Sequence, residues 1–565
     1  MRVSQLFTKT LKDAPTDEVA KNAQLLIRAG FIHKEMAGVY AYSPLGLRVL
    51  ENVKRVIREE MNEIAGQEVM MTALQPRELW EKTDRWDDEK VDNWFKTKLA
   101  NGSELGVGLT HEEPIVDLLS DYIKSYKDLP IFVYQIQNKF RNELRAKSGL
   151  LRGREFVMKD MYSLARTQAE HDELYEQAAQ AYHKVYQRLG LGDITFRVKA
   201  DGGIFTERYS DEFQTITDVG EDTLFKVPGS DEYFNEEVAP AQAPAIKQNA
   251  AEIQDMEEVV GKGIIGVVEL AKFLGMPVEL TTKTMLYQTD DGRVVAAAVR
   301  GGYDINEIKL RKVVNAKTLR LADEETVRRV TKAEVGYAGL INLAEDVVIV
   351  VDESCANRVN FEMGSNKTDV HNINVNWGRD LPEPEQFYDI KVAREGDIHP
   401  DSGKVYESMR AVEVGNIFPL ESKYTDALGV YYTDESGKQQ SIIMGCYGIG
   451  VSRLVGTLAE HFSDEKGLVW SDVVAPFRVY LVQIGDVSDE AERLYDELTK
   501  AGISVLWDDR DARPGDKFAD ADLMGIPHRV VISPKTTELH QIEYKSRTSD
   551  DTEMMATEEL IKRLS

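Results

Sequence analysis

The chain has 565 residues, 42% of them hydrophobic and 29% charged, with a formal net charge of −28; this length predicts about three cores, and the composition is that of a globular protein, not a disordered or fibrous one. No apolar run of ~20 residues occurs and MRVSQLFTKTLKDAP has no signal-type apolar core, so the reading is a cytoplasmic protein with no membrane span. Cys355 and Cys446 form no C-x-x-C pair, which argues against a disulfide framework or a cysteine-held zinc, and the acidic balance argues against nucleic acid binding everywhere while leaving room for a local basic path.

Residues 17–30 (DEVAKNAQLLIRAG) predict a helix that stops at Gly30, and GVYAYSPLG a turn-rich connection. Residues 47–64 predict an amphipathic helix, with Leu50, Val53, Ile57, Met61 and Ile64 at helical spacing and Gly66 closing it. EVMMTALQP then reads as a strand ending near Pro76. GLTHEE at 108–113 places Thr, His and two acids in a row; it is not a zincin motif, because HEEPI lacks the second His.

Residues 134–162, YQIQNKFRNELRAKSGLLRGREFVMKDMY, carry seven basic and three acidic residues, a +4 island in an acidic chain. The stretch reads as a strand ending in F-R-x-E, a polar loop, and a second strand-like run R-x-x-x-F-x-x-x-D. Arg141 and Glu143, two apart on a strand, would share a face. Arginine offers a bidentate fork for phosphate, Glu143 an acceptor for an exocyclic amine, and Phe156 a ring for a base. The ligand that fits is ATP or an adenylate.

ARTQAEHDELYEQAAQAYHKVYQRLG predicts a helix ended by Gly190. The Ala/Pro/Gln stretch at 236–250 reads as a linker, and VVELAKFLG, TKTMLYQT and RVVAAAVRG open an αβ segment inserted into the first domain. AVEVGNIFPLESKYT at 411–425 returns as strand and turn. GCYGIGVSRLVGTLAEHF at 445–462 is a glycine-rich strand-to-helix turn, but neither a dinucleotide fingerprint nor a P-loop. Arg453 in its first helical turn suits a γ-phosphate. From Pro476 strands and helices alternate as a small α/β unit.

The F-R-x-E and R-x-x-x-F-x-x-x-D spacing resembles motif 2 of class II aminoacyl-tRNA synthetases, and GCYGIG with Arg453 resembles motif 3. The helix and strand over 47–76 have the shape of motif 1, which in that family forms much of the homodimer interface. GLTHEE and NE-x(5)-GLLRGREF-x-MKD-x-YS resemble the bacterial prolyl-tRNA synthetases. The resemblance implies an α/β and α+β multidomain chain: an antiparallel-sheet catalytic core over 1–223 and 406–470, an inserted α/β editing domain over 224–405, and an α/β anticodon-binding domain over 474–565.

It also implies the activity: L-proline and ATP give prolyl-adenylate, and the prolyl group passes to the 3′ end of tRNA(Pro), with hydrolytic editing of Ala-tRNA(Pro). By the same resemblance Arg141, Arg152 and Arg453 hold phosphates, Glu143 and Phe156 hold adenine, and Glu413 is a candidate Mg2+ ligand. Thr110 and Glu112 hold the substrate amine, and Cys446 lines the pocket. Thr282-Lys283-Thr284, VRG at 299–301, GYAG at 336–339, Asp352, Gly364-Ser365-Asn366 and His371 carry the editing resemblance, with Lys283, Asp352 and His371 as its site. Arg513, Lys517, Lys545 and Arg547 are the expected anticodon contacts, and Arg145 and Lys147 meet the acceptor end.

The sequence departs from the family at several places. Thr72, Leu109, Leu340 and Ala344 stand where the family usually has Pro, Leu164-Ala165 where it often has Phe-His, Glu421-Ser422 where it has Gly-Thr, and Phe205-Thr206 in place of a small-residue turn. His399 and Ser402 replace two cysteines, so no metal is inferred there. Another class II synthetase of threonyl, seryl or glycyl type is the first alternative; GLTHEE, GLLRGREF and the insertion separate it. An inactive synthetase-like regulatory paralogue is the second; the retained arginines and terminal domain argue against it.

Overall fold

The computed structural model describes residues 1–146, 148–203, 205–206, 208–246 and 252–565. Lys147 and the end of the 236–250 linker lie outside the described residues. The chain divides into two compact units: Met1–Arg197 with Gly202–Thr217 and Val412–Ser565, and Val198–Asp201 with Asp218–Ala411. Among the described residues no helix is long and apolar enough to cross a membrane.

In the first unit, helix α1 (Pro44–Glu63) starts on a proline and buries Leu45, Val49, Val53, Val56, Ile57 and Met61 along one stripe. Upstream, residues expected as a turn-rich connection form a hairpin, Ile32–Met36 against Val39–Tyr42. Val39, Tyr40 and Tyr42 are strand formers, and Gly38 at φ +75° makes the reversal.

The strand expected over EVMMTALQP is broken. Only β1 (Gly66–Glu68) joins the main sheet, and Leu74–Pro76 pairs in a separate small sheet. Between them side chains replace the ladder: the Met71 N–H donates to Gln135 Oε1 at 3.0 Å, and Gln137 Nε2 donates to the Met71 carbonyl at 2.5 Å.

The main sheet adds β2 (Ile131–Phe140), β3 (Glu155–Ala165), β4 (Ser210–Ile216), β5 (Glu407–Glu421, of which 412–421 belong here) and β6 (Ile443–Ile449). The spatial order is β4-β5-β6-β3-β2-β1, with β2, β3, β6 and β5 successively antiparallel. Alternation along β3 separates two surfaces. Met161 and Val157 enter a core with α1, α2 (Gln168–Arg188) and α3 (Val451–His461). Phe156, Met158, Asp160 and Tyr162 point the other way.

The last part of this unit is a five-stranded sheet in the order Val505–Asp508, Val479–Gln483, His528–Ile532, Ile542–Ser546, Glu553–Met555. Its first three strands are parallel and its last two antiparallel. Val479, Leu481, Leu494, Leu498 and Trp507 form its own core.

In the second unit Val294–Arg300 is buried at every position. It pairs antiparallel with Thr282–Thr289 and parallel with Val347–Val351. Ala296 and Ala298 face one apolar cluster while Val295, Ala297 and Val299 face another, so the unbroken apolar run is a strand covered on both sides. Glu257–Val260, Val370–Val375 and Phe361–Gly364 form a second sheet.

Candidate functional site

Arg141, Glu143, Arg152, Phe156, Glu413 and Arg453 line one cavity in the first unit. The expectation that Arg141 and Glu143 share a strand face is corrected: β2 ends at Phe140. The two converge because the ladder continues one bond further, from the Arg141 N–H to the Arg154 carbonyl at 2.9 Å, and the chain then turns with Glu143 N–H on the Arg141 carbonyl at 2.8 Å. Arg141 lies 5.3 Å from the Phe156 ring centre. Arg152 holds Glu143 Oε2 from Nε at 3.0 Å and Nη2 at 2.8 Å. Arg453 is anchored by the Leu151 carbonyl at 2.7 Å and also contacts Glu413 through its carbonyl and, at 3.3 Å, its carboxylate. Asn416, which the sequence did not single out, donates to Glu413 Oε1 at 2.6 Å.

Burial lowers the Arg141 pKa below that of an exposed guanidinium, against the opposing pull of Glu413. An arginine carrying that desolvation cost gains from an anion beside it. Gly448 on β6 forms the wall: a Cβ there would lie 2.4 Å from Met158 Cε and 2.7 Å from Asn416 Oδ1.

Thr110, Glu112 and Cys446 form a second group. Thr110 Oγ1 donates to the Glu112 carboxylate at 2.7 Å, and Cys446 Sγ lies 3.3 Å from Glu112 Oε1. Burial and the neighbouring Glu112 push the Cys446 thiol well above its ordinary pKa, so it is a donor and not a nucleophile. No partner for Cys446 was visible in the sequence; the fold supplies it from 334 residues away.

Glu112 and Glu113 open the helix Glu112–Ser120 and are fully buried. Arg85 and the Lys139–Asp160 pair (2.8 Å) complete the surroundings. Burial works against the Asp160 charge, but Lys139 and His111 hold its carboxyl below the usual range.

The two groups share the sheet face. Cys446 pairs with Tyr162 and Gly448 with Asp160, two residues apart on adjacent strands, which is a separation of about 7 Å. The departures Leu164 and Ala165 are fully buried, Leu164 in an apolar cluster with Phe418 and Met444. Phe205 packs against Phe418 with ring centres 4.8 Å apart and ring planes tilted by 33°.

Two family descriptions match this chain: "tRNA synthetase class II core domain (G, H, P, S and T)" over residues 95–462, and "Anticodon binding domain" over residues 478–565. A proline–tRNA ligase of Bacillus cytotoxicus is 42% identical over 99% of this chain and 98% of its own length. The chain belongs to the proline–tRNA ligases. A Bacillus cereus proline–tRNA ligase is 41% identical over the same shares. Two solved structures of Cryptosporidium parvum prolyl-tRNA synthetase, one complexed with halofuginone and AMPPNP and one with L-proline and AMP, share the fold at TM-scores of 0.57 and 0.56 with 13% and 12% identity. They cover 96% of this chain and 75% and 73% of their own lengths.

In the second unit of this ligase, Lys283 and His371 line a cleft of about 730 Å³ with Thr282, Gly336, Glu362 and Gly364. His371 sits between two acceptors, the Glu362 carboxylate at 3.2 Å from Nδ1 and the Ile264 carbonyl at 3.0 Å from Nε2. Lys283 pairs with Asp304. Asp352, expected with them, is not among the lining residues. Its buried carboxylate accepts from the backbone N–H groups of Ser354 at 2.9 Å and Ile390 at 2.7 Å, the work of a helix cap.

The loop carrying Leu340 is braced by Asn366, which accepts from the Gly339 N–H at 2.8 Å and donates to the Ile341 carbonyl at 2.6 Å. Leu340 uses the N–H that a proline would lack, donating to Met363 Sδ at 3.3 Å.

The four expected anticodon residues differ in freedom. Arg513 is exposed at the start of helix Pro514–Met524. Lys545 has only a 3.8 Å approach to Asp550. Lys517 is buried, donating to the Gln483 and Asp508 carbonyls at 2.7 and 3.2 Å, and Arg547 is clamped by Asp464 at 2.6 and 2.8 Å. The last two are placed as structural braces.

Proposed function

We propose that the first unit activates L-proline with ATP and transfers it to tRNA(Pro). The observation that carries this is the common sheet face: the arginine-lined cavity and the Thr110–Glu112–Cys446 group lie side by side, so an amino acid held at its amine presents its carboxylate toward a triphosphate. Activation is in-line attack of the proline carboxylate oxygen on the α-phosphorus, with pyrophosphate leaving and no protein nucleophile required. Catalysis then comes from positioning and charge stabilisation. Arg141 serves the α-phosphate, Arg152 and Arg453 the outer phosphates, Glu143 the adenine amine, and Phe156 the ring.

Glu413 would hold Mg2+ together with phosphate oxygens. Its carboxylate lines the cavity, and an ion bound mainly through phosphates needs only one or two protein carboxylates. When bound, Mg2+ supplies positive charge to the phosphates.

The second unit, on this reading, hydrolyses Ala-tRNA(Pro); the cleft with His371 and Lys283 supports it. Arg513 is the exposed candidate for an anticodon contact, Lys545 a partly exposed one, and Arg145 the candidate for the acceptor end. A cytoplasmic homodimer completes the reading; Met70 and Leu74, 84% and 55% exposed after α1, are the apolar residues such an interface would cover. Proline-dependent ATP–pyrophosphate exchange tests the core of the proposal: absence of exchange with proline, or equal exchange with alanine and threonine, would overturn it.

A further inference from the structure

Arg85 follows the short helix Arg77–Glu81 and is 4% exposed. Its Nη1 alone makes three contacts: Glu112 Oε2 at 3.2 Å, Glu113 Oε1 at 2.9 Å and Glu113 Oε2 at 3.1 Å. Its Nε and Nη2 are buried with no hydrogen-bond partner. Its guanidinium is boxed by Trp80, Phe205 and Tyr424, with ring centres 4.9, 5.3 and 5.3 Å away. Glu113 is further held by Thr83 Oγ1 at 2.7 Å.

The local charge does not balance. Lys139 and Asp160 cancel each other. Lys159 points to the opposite sheet face, where its Nζ meets the Tyr182 hydroxyl and the Tyr447 carbonyl. What remains is one guanidinium against two buried carboxyl groups, a net −1 when both are ionised; burial raises the Glu113 pKa and Arg85 pulls it back. An uncompensated buried charge is costly, and a cationic ligand removes the cost. Arg85 reaches only Oε2 of the Glu112 carboxylate, while Thr110 Oγ1 lies 2.7 and 2.8 Å from its two oxygens and Cys446 Sγ lies against Oε1.

We propose that Arg85 is the positioning residue that sets amine specificity in the amino-acid pocket: it orients Glu112 and neutralises only one of two adjacent carboxylates, so that a cationic ring amine, and not a neutral ring of the same shape, completes the site. This rests on the proline-activation reading. Glu113 is the counter-ion that keeps Arg85 from satisfying Glu112 alone, and the aromatic box keeps water from doing so.

The test is ATP–pyrophosphate exchange on the full chain, with proline as substrate and tetrahydrofuran-2-carboxylate, its neutral-ring analogue, as competitor. The variants are Arg85→Met, Arg85→Lys, Glu113→Gln and the double Arg85→Met/Glu113→Gln, giving pocket charges of −2, −1, 0 and −1. Arg85→Met and Glu113→Gln should each raise the proline KM at least about tenfold with the ATP KM within about twofold. Glu113→Gln should narrow the discrimination between proline and the analogue. The double variant should fall closer to wild type than either single, because it restores the charge. Equal changes in the proline and ATP KM, unchanged proline KM in Glu113→Gln, or additive losses in the double variant overturn the proposal. Glu113→Gln, which preserves side-chain shape, carries the test if Arg85→Met does not fold. Absence of exchange in wild type would instead sink the activation reading itself.

Discussion

Lys139 Nζ lies 2.7 Å from His111 Nδ1, and this contact fixes the tautomer of a fully buried histidine. His111 Nε2 lies 3.0 Å from the Thr72 carbonyl, which can only accept. The ring proton is therefore on Nε2, and Nδ1 accepts from Lys139. Burial, with Lys139 adding to it, pushes the His111 pKa down to about 4. The unfolded histidine titrates near 6.5, so between these values the unfolded chain binds more protons. The stability contribution is fully present above pH ~6.5 and is lost as the pH falls toward about 4. The total is about 3 kcal/mol at ~1.4 kcal/mol per unit. Denaturant midpoints at pH 7.5 and 4.5 should therefore fall more steeply in wild type than in His111→Asn. Parallel slopes would contradict the buried neutral ring.

Arg141→Ala should abolish proline-dependent exchange. Preorganised donors of this kind are worth about 10²–10³ in rate, and Arg141 has no neighbour that can replace it: Arg152 is held by Glu143, and Arg453 by the Leu151 carbonyl. Thermal unfolding should change little. A variant with near-wild-type exchange would remove Arg141 from the α-phosphate role.

Gly448→Ala should raise the ATP KM more than the proline KM. The new methyl would meet Met158 Cε and Asn416 Oδ1 at 2.4 and 2.7 Å, on the cavity side of β6. Met158 can swing away, whereas Asn416 is tied to Glu413. Equal effects on both KM values would show that the strand as a whole had shifted.

The legible parts of this protein were those where chemistry is packed into consecutive residues. F-R-x-E, R-x-x-x-F and GCYGIG with Arg453 each carry several functional side chains within one turn or hairpin, and the resemblance of these segments to motifs 2 and 3 is what groups Arg141, Glu143, Phe156 and Arg453, which line one cavity. Arg141 and Glu143 nevertheless meet in a turn beyond the strand and not on a strand face, because a strand end and a loop start look alike in sequence. Arg85 was not legible: it sits in TDRWDD, a stretch that reads as a solvated turn, and its partners Glu112 and Glu113 lie 27 and 28 residues away. Lys517 and Asp352 show the converse. A charged residue in a family-like segment reads as a contact, and only the fold reveals that carbonyls or backbone N–H groups already hold it.

That difference gives the last prediction, in the second unit. His371→Ala should remove deacylation of Ala-tRNA(Pro) at every temperature while leaving proline activation near wild type, because His371 borders the cleft; it also lowers the unfolding transition of the second unit, since the buried ring is the partner of the Glu362 carboxylate and the Ile264 carbonyl. Asp352→Leu should do the reverse in order of cause. It leaves the Ser354 and Ile390 N–H groups buried without acceptors, at about 1–3 kcal/mol each, so stability falls first and deacylation is lost only as the unit loosens. Measured at a temperature well below its lowered midpoint, Asp352→Leu should retain deacylation that His371→Ala lacks. Loss of deacylation in Asp352→Leu with an unchanged midpoint would return Asp352 to the cleft chemistry.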